Sequence, residues 1–254
     1  MGNKKCVICN EIKPRCMFNK RGEHIIPYAF GNIGETLYRL YCVCGDCNSK
    51  LGKYIDEPFT RASDVMDIRK SKNMSGRSSI GSSESFEFNA VKTEAYSNAV
   101  IKFAYETAIL WFGYDYCSDE TANEIRKTLH DYMSAKISTM LDAKQKYFRY
   151  SGIGDNYQTL NTVVSTISKS IESLYIHYVW ATSMNGQTWL SFNMTGLPQA
   201  SVCVSTKDRI KGLPQKNLGV FVFSNENGAI SWIHPQMVEL MPTSYRSSYE
   251  KQST

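Results

Sequence analysis

Two Cys-x-x-Cys pairs, Cys6/Cys9 and Cys44/Cys47, bracket an acid–histidine pair, Glu23-His24, and Asn48 directly follows the last cysteine. Zinc prefers four sulfur or nitrogen ligands in a tetrahedron, and two such turns supply thiolates at natural bite angles. Cys6, Cys9, Cys44 and Cys47 are therefore the candidate Zn²⁺ ligands. Four thiolates leave no open coordination position, so this ion is expected to be structural rather than catalytic. Cys16 and Cys42 are spare; Cys42 lies close to Cys44, but only Cys44 completes a pair with Cys47. Eight cysteines would suit a disulfide framework in a secreted chain. Here Met1-Gly-Asn-Lys-Lys runs straight into the first pair without an apolar signal region, which favours metal and a cytoplasmic setting. Of the four histidines, His130, His177 and His234 attract no chemistry. His24 differs, because a carboxylate precedes it and Ile25-Ile26-Pro27 follows it inside the cysteine-bracketed loop.

The elements that must position these groups are short. Lys13-Pro14 breaks any helix and Arg21-Gly22 marks a turn, so residues 1–22 read as a knuckle followed by a hairpin. Residues 23–27 read as an extended segment stopping at Pro27, and residues 28–37, with Gly31 and Gly34, as loop. Leu37 to Val43 is apolar and aromatic enough for a second strand. Asn48 to about Ile55 has helical spacing, with Asn48 near its start. The order is strand, loop, strand, helix. Residues 56–70 are mixed and read as partly helical.

This combination resembles the HNH (ββα-metal) endonucleases, in the subgroup with paired zinc knuckles. The residues that carry the likeness are Cys6-x-x-Cys9, Glu23-His24-Ile25-Ile26-Pro27 and Cys44-x-x-Cys47-Asn48, with Lys50 and Gly52 behind. It covers roughly residues 4–58 and is specific as a set, whereas either knuckle alone is weak. The resemblance implies that His24 is the general base taking a proton from the attacking water, a task suited to a near-neutral pKa. It implies that Glu23, usually Asp in the family, and the side-chain oxygen of Asn48 hold one divalent ion. Mg²⁺ or Mn²⁺ suits such oxygen donors better than zinc. Departures exist. Arg39 stands where the family has an asparagine that props the loop, and could contact phosphate instead. Gly52 stands where some relatives carry a further histidine ligand. Asp56 reads as a solvated carboxylate.

Residues 1–77 hold 14 Lys/Arg against 8 Asp/Glu, and the remainder 15 against 16, so the net charge of +5 belongs to the part carrying the motif. A basic first third suits a polyanion such as nucleic acid. Lys20, Arg21, Arg39, Lys50, Lys53 and Arg61 are candidates for backbone phosphate contacts, which position a duplex without reading its sequence. No apolar run of about 18 residues exists, so no membrane-spanning helix is supported.

Serine and glycine dominate Ser71 to Ser85, which reads as a flexible linker between a nuclease module at 1–70 and an accessory unit at 86–254. A helix is expected from about Glu94 to Phe112, with Tyr96, Val100, Phe103, Thr107 and Trp111 on one stripe. A second helix should start near Asp119 and run to about Leu141. Residues 160–172 fit helix or strand. Short β runs follow at Leu174–Ala181, Thr188–Asn193, Ser201–Ser205, Gly219–Ser224 and Ala229–Ile233, punctuated by Asn185-Gly186, Gly196, Lys211-Gly212 and Asn227-Gly228. Trp180, Trp189, Trp232 and Tyr178 read as sheet or core packing.

The expected fold class is α+β: a zinc-stapled ββα-metal module, a helical hairpin and a small antiparallel sheet. The expected function is metal-dependent hydrolysis of DNA phosphodiester bonds, most naturally in duplex DNA, with a bacterial or phage defence or restriction setting by association with the family. The rival expectation is a non-catalytic zinc module binding nucleic acid or protein. Residues 86–254 could recognise a target, form a homodimer or sense a trigger.

Overall fold

The computed structural model describes residues 2–27, 29, 39–71, 90–150, 175–194, 196–211 and 218–224. Ser71, where the expected 71–85 linker begins, is instead the last residue of a helix; the rest of that linker, the ambiguous 160–172 segment, the Ala229–Ile233 run and the Asn227-Gly228 turn lie outside the described residues.

The fold is α+β. Strands β1 (Asn3–Lys5) and β2 (Ile12–Pro14) pair antiparallel around the first knuckle. Strands β3 (Glu23–His24) and β4 (Arg39–Leu40) form a second small antiparallel pair, with His24 opposite Arg39. Helix α1 (Gly45–Leu51) opens on the second knuckle with Cys44 as its N-cap, three residues before Asn48, where the sequence placed its start. It then widens into a π-helical turn, Gly52–Asp56, before α2 (Glu57–Thr60) and α3 (Ser63–Ser71). Pro58 supplies the reason: it has no N–H for the Tyr54 carbonyl and its ring crowds that carbonyl, so the preceding turn opens.

Helix α4 (Ala90–Phe112) runs through the centre of the molecule. Its side chains are buried without interruption from Tyr96 to Ile109, rather than along one stripe. A helix apolar nearly all round must be covered on every side. On one side it meets the π turn, α2 and β4; on others it meets α5 (Glu120–Met133), α6 (Leu141–Tyr147) and the large sheet. Asp119 caps α5 by accepting from the Thr121 N–H, and its carboxylate also accepts from Ser205 Oγ at 2.7 Å and from Arg209 Nη2 at 2.9 Å. That ties α5 to the sheet. The second helix ends at Met133, short of the expected 141, because Ala135 turns left-handed at φ 55° and breaks the run before α6.

Among the described residues the large sheet has five strands, all antiparallel, in the order β5 (Phe148–Arg149), β8 (Ala200–Ser205), β7 (Gln187–Met194), β6 (Tyr175–Met184), β9 (Leu218–Ser224). Asn185 and Gly186 both have positive φ, 53° and 75°, which makes the two-residue turn that matches strand twist between β6 and β7. Trp189 is buried in this sheet, as expected. The same buried core joins Cys6, Ile8 and Leu51 to Phe103, Leu129 and Val202, so the first sixty residues and the sheet share one apolar interior through α4. Among the described residues, no helix is long and apolar enough to cross a membrane.

Candidate functional site

The four paired cysteines come together. The sulfur atoms of Cys6, Cys9, Cys44 and Cys47 all lie within 4.8 Å of one another. The first knuckle is closed by backbone bonds from Cys6 N–H to the Glu11 carbonyl and from Asn10 N–H to the Cys6 carbonyl, with Asn10 left-handed at φ 65°. The Cys44 N–H donates to Cys6 Sγ at 3.3 Å, which links the two knuckles and favours a thiolate at Cys6. Val7 N–H donates to the Cys42 carbonyl across the pair. Cys42 is buried but outside the cluster, and Cys16 is exposed. Burial pushes the Cys9 thiol up to about 11, so four thiolates at this spacing call for a cation among them. The donor set can hold a structural metal and is consistent with zinc.

Glu23, His24 and Asn48 border a single cleft of about 390 Å³, together with Gly52 and Asp56. The turn before β3 delivers the first two. Arg21 N–H donates to Asn19 Oδ1 and Gly22 N–H to the Asn19 carbonyl, and Gly22 adopts φ 73°. A Cβ on Gly22 would sit 3.1 Å from the Leu40 carbonyl oxygen, so the turn needs glycine twice over. Arg39 Nη1 donates to the Arg21 carbonyl at 2.9 Å. The guanidinium thus braces the loop from the strand opposite His24.

Asn48, Gly52 and Asp56 line the cleft at intervals of four. A plain α-helix advances about 100° per residue, so eight residues would leave Asp56 roughly 80° away from Asn48. The wider π turn takes up that excess and brings both onto one face. Asp56 is not the solvated carboxylate expected: its side chain is 16% exposed and both oxygens accept from Lys102 Nζ at 2.9 Å. Lys50 and Lys53 are exposed, and Arg61 pairs with Glu57 on the surface at 2.7 Å.

Lys102, in the middle of α4, is fully buried. Its ammonium donates to Glu23 Oε1 at 2.7 Å, to the His24 carbonyl at 3.0 Å and to Asp56. Glu106, one helical turn on, is 3.6 Å away and fully buried; neither of its oxygens has a hydrogen-bond partner among the described residues. Burial pushes the Glu106 carboxyl well above its ordinary value, against the pull of the Lys102 charge. Burial, with the charges of Arg39 and Lys102 nearby, lowers the His24 imidazole to about 4, so it is neutral at pH 7 and able to accept a proton.

Lys102 and Glu106 were missed in the sequence. The signal was a lysine–glutamate pair four apart, alone among the apolar run Ala99 to Leu110 of a buried helix.

No curated protein and no solved structure matches this chain. The HNH endonuclease family model matches residues 6–63, a span containing both knuckles, Glu23-His24, Asn48 and Asp56. Residues 6–63 are therefore an HNH endonuclease-type module set into a larger α+β chain.

Proposed function

We propose that the chain is a metal-dependent HNH endonuclease that hydrolyses phosphodiester bonds in duplex DNA. The observation that carries this reading is that Glu23, His24 and Asn48 border one cleft, inside the family-matched span and beside the cysteine cluster. His24 accepts the proton of the attacking water; its imidazole is neutral at pH 7. Glu23 and Asn48 offer oxygen donors suited to Mg²⁺ or Mn²⁺. The bound ion supplies charge neutralisation for the scissile phosphate and the leaving 3′ oxygen. Exposed Lys50 and Lys53 follow the polyanion's backbone, and Arg39 adds a further positive charge. Residues 86–254 act as an accessory unit. Eight free cysteines, none in a disulfide, suit the reducing cytoplasm.

The second reading is a non-catalytic zinc module that binds nucleic acid or protein. It is favoured by one observation, the ammonium of Lys102 already neutralising Glu23 and Asp56. A plasmid cleavage assay with and without Mg²⁺ separates the two. The nuclease reading expects Mg²⁺-dependent cutting that falls by at least about 100-fold in His24→Ala, with zinc content and folding unchanged. Undiminished cutting in that variant removes His24 as the base. Cutting of RNA but not DNA reassigns the substrate.

A further inference from the structure

A fully buried ammonium is costly, and a core lysine is more cheaply replaced by an apolar side chain when stability alone is at stake. Lys102 sits where such a replacement would be simplest, in a helix buried on all sides. What it does instead is specific. An ammonium has three protons to give, and the three groups that accept them are Glu23, the backbone carbonyl of His24 and Asp56. Both members of the acid–histidine pair are gripped by one atom, from a helix outside the family-matched span. Glu106, the remaining carboxyl within reach, is left without a proton from Lys102 and faces it from within the same helix.

We propose that Lys102 is a positioning residue of the cleft: its ammonium locks Glu23, the His24 backbone and Asp56 into one arrangement, so that α4 is a working part of the HNH site rather than a neighbour of it. This rests on the nuclease reading above. Lys102 does not touch the substrate; it acts through Glu23, His24 and Asp56, holding the two carboxylates together against their mutual repulsion. Groups that orient metal ligands from behind are commonly worth 10- to 100-fold in affinity or activity.

The test is Lys102→Met in the full chain, which keeps the length and apolar stem of the side chain and removes the charge. Zinc content is measured first. Mn²⁺ binding is then followed by electron paramagnetic resonance, and cleavage is followed as kcat and KM for DNA. A positioning role predicts Mn²⁺ affinity lowered about 10- to 100-fold, kcat reduced to a similar extent, and KM for DNA and zinc content unchanged. A lysine that merely fills in for a cation predicts the reverse, because losing a positive charge beside two carboxylates tightens Mn²⁺ binding. Unchanged or tighter Mn²⁺ binding with cleavage retained overturns the proposal. If Lys102→Met does not fold, Lys102→Met/Glu106→Gln replaces the buried carboxyl by its neutral isostere, and the same readouts apply. A wild-type chain that binds Mn²⁺ but cuts no nucleic acid defeats the nuclease reading; the Mn²⁺ comparison then decides the role of Lys102 by itself. A wild-type chain that binds no Mn²⁺ overturns both.

Discussion

Two of the buried polar clusters among the described residues are built on opposite plans. Four sulfur atoms gather from two local turns, Cys6/Cys9 and Cys44/Cys47. Around Lys102 gather groups from three separate places in the chain: residues 23 and 24, residue 56, and residue 106 on its own helix. The first cluster is bound by chemistry already complete in short sequence motifs, and needs the rest of the fold only to bring two turns together. The second exists only once α4 has been threaded behind the ββα segment. Local chemistry is visible in sequence; chemistry assembled at long range has to be found in space. The two are also bound to each other. Tyr105, three residues after Lys102, donates to the Val7 carbonyl at 2.6 Å, and Arg126 Nη1 on α5 donates to the Ile8 carbonyl at 3.3 Å, so the first knuckle is held by the helices behind it.

Removing the metal should break the comparison most severely. Structural zinc in such sites supplies binding free energy on the order of 10 kcal/mol. Chelation, or Cys44→Ser, is expected to unfold the knuckles and the β3–β4 pair while the helices and large sheet keep much of their secondary structure. Far- and near-ultraviolet circular dichroism before and after chelation, with zinc assayed in parallel, reads this directly. A chain whose spectra ignore chelation would show that the cysteine cluster needs no ion.

Gly22→Ala should cost less, about 1–3 kcal/mol, since alanine is strained at the φ of 73° and its methyl meets the Leu40 carbonyl. The damage falls on the strand that carries Glu23 and His24. Urea unfolding gives the loss of stability, and zinc content should stay unchanged. Loss of zinc in this variant would show that the two clusters are less separable than their construction suggests.

The smallest effect concerns pH. The folded His24 imidazole is held near 4 against an ordinary 6.5. Between those values the unfolded chain takes up a proton that the folded chain refuses, so stability rises with pH across that window. The contribution is present in full above pH 6.5 and is lost as pH falls toward 4. Urea midpoints at pH 7 and pH 5 should therefore fall further for the wild type than for His24→Gln. Equal falls would mean that His24 is not desolvated in the folded chain.

What the sequence revealed and what it hid follow the same division. The zinc ligands and the Glu23-His24 pair were legible because adjacency and bite are sequence properties. Spacing alone could not say whether water or another helix lay over Asp56; α4 does, and the carboxylate is bonded rather than solvated. The end of α5 was hidden because Ala135, not glycine, takes the left-handed position, and apolar residues keep helical intervals beyond it. Ile137 and Leu141, counted on that stripe, are 37% and 49% exposed. Lys102 was hidden for a plainer reason: no periodicity marks a single charge as the centre of something.

The π turn between Gly52 and Asp56 has one more consequence. Its extra width is set by Pro58, which withholds an N–H from the Tyr54 carbonyl. Were the same residues to wind as ordinary α-helix, every side chain beyond them would swing by about 80°. Lys102 would then lose its acceptor at Asp56, and α2 would present a different face to α4. The face that the cleft receives thus depends on Pro58, a residue that does not line it.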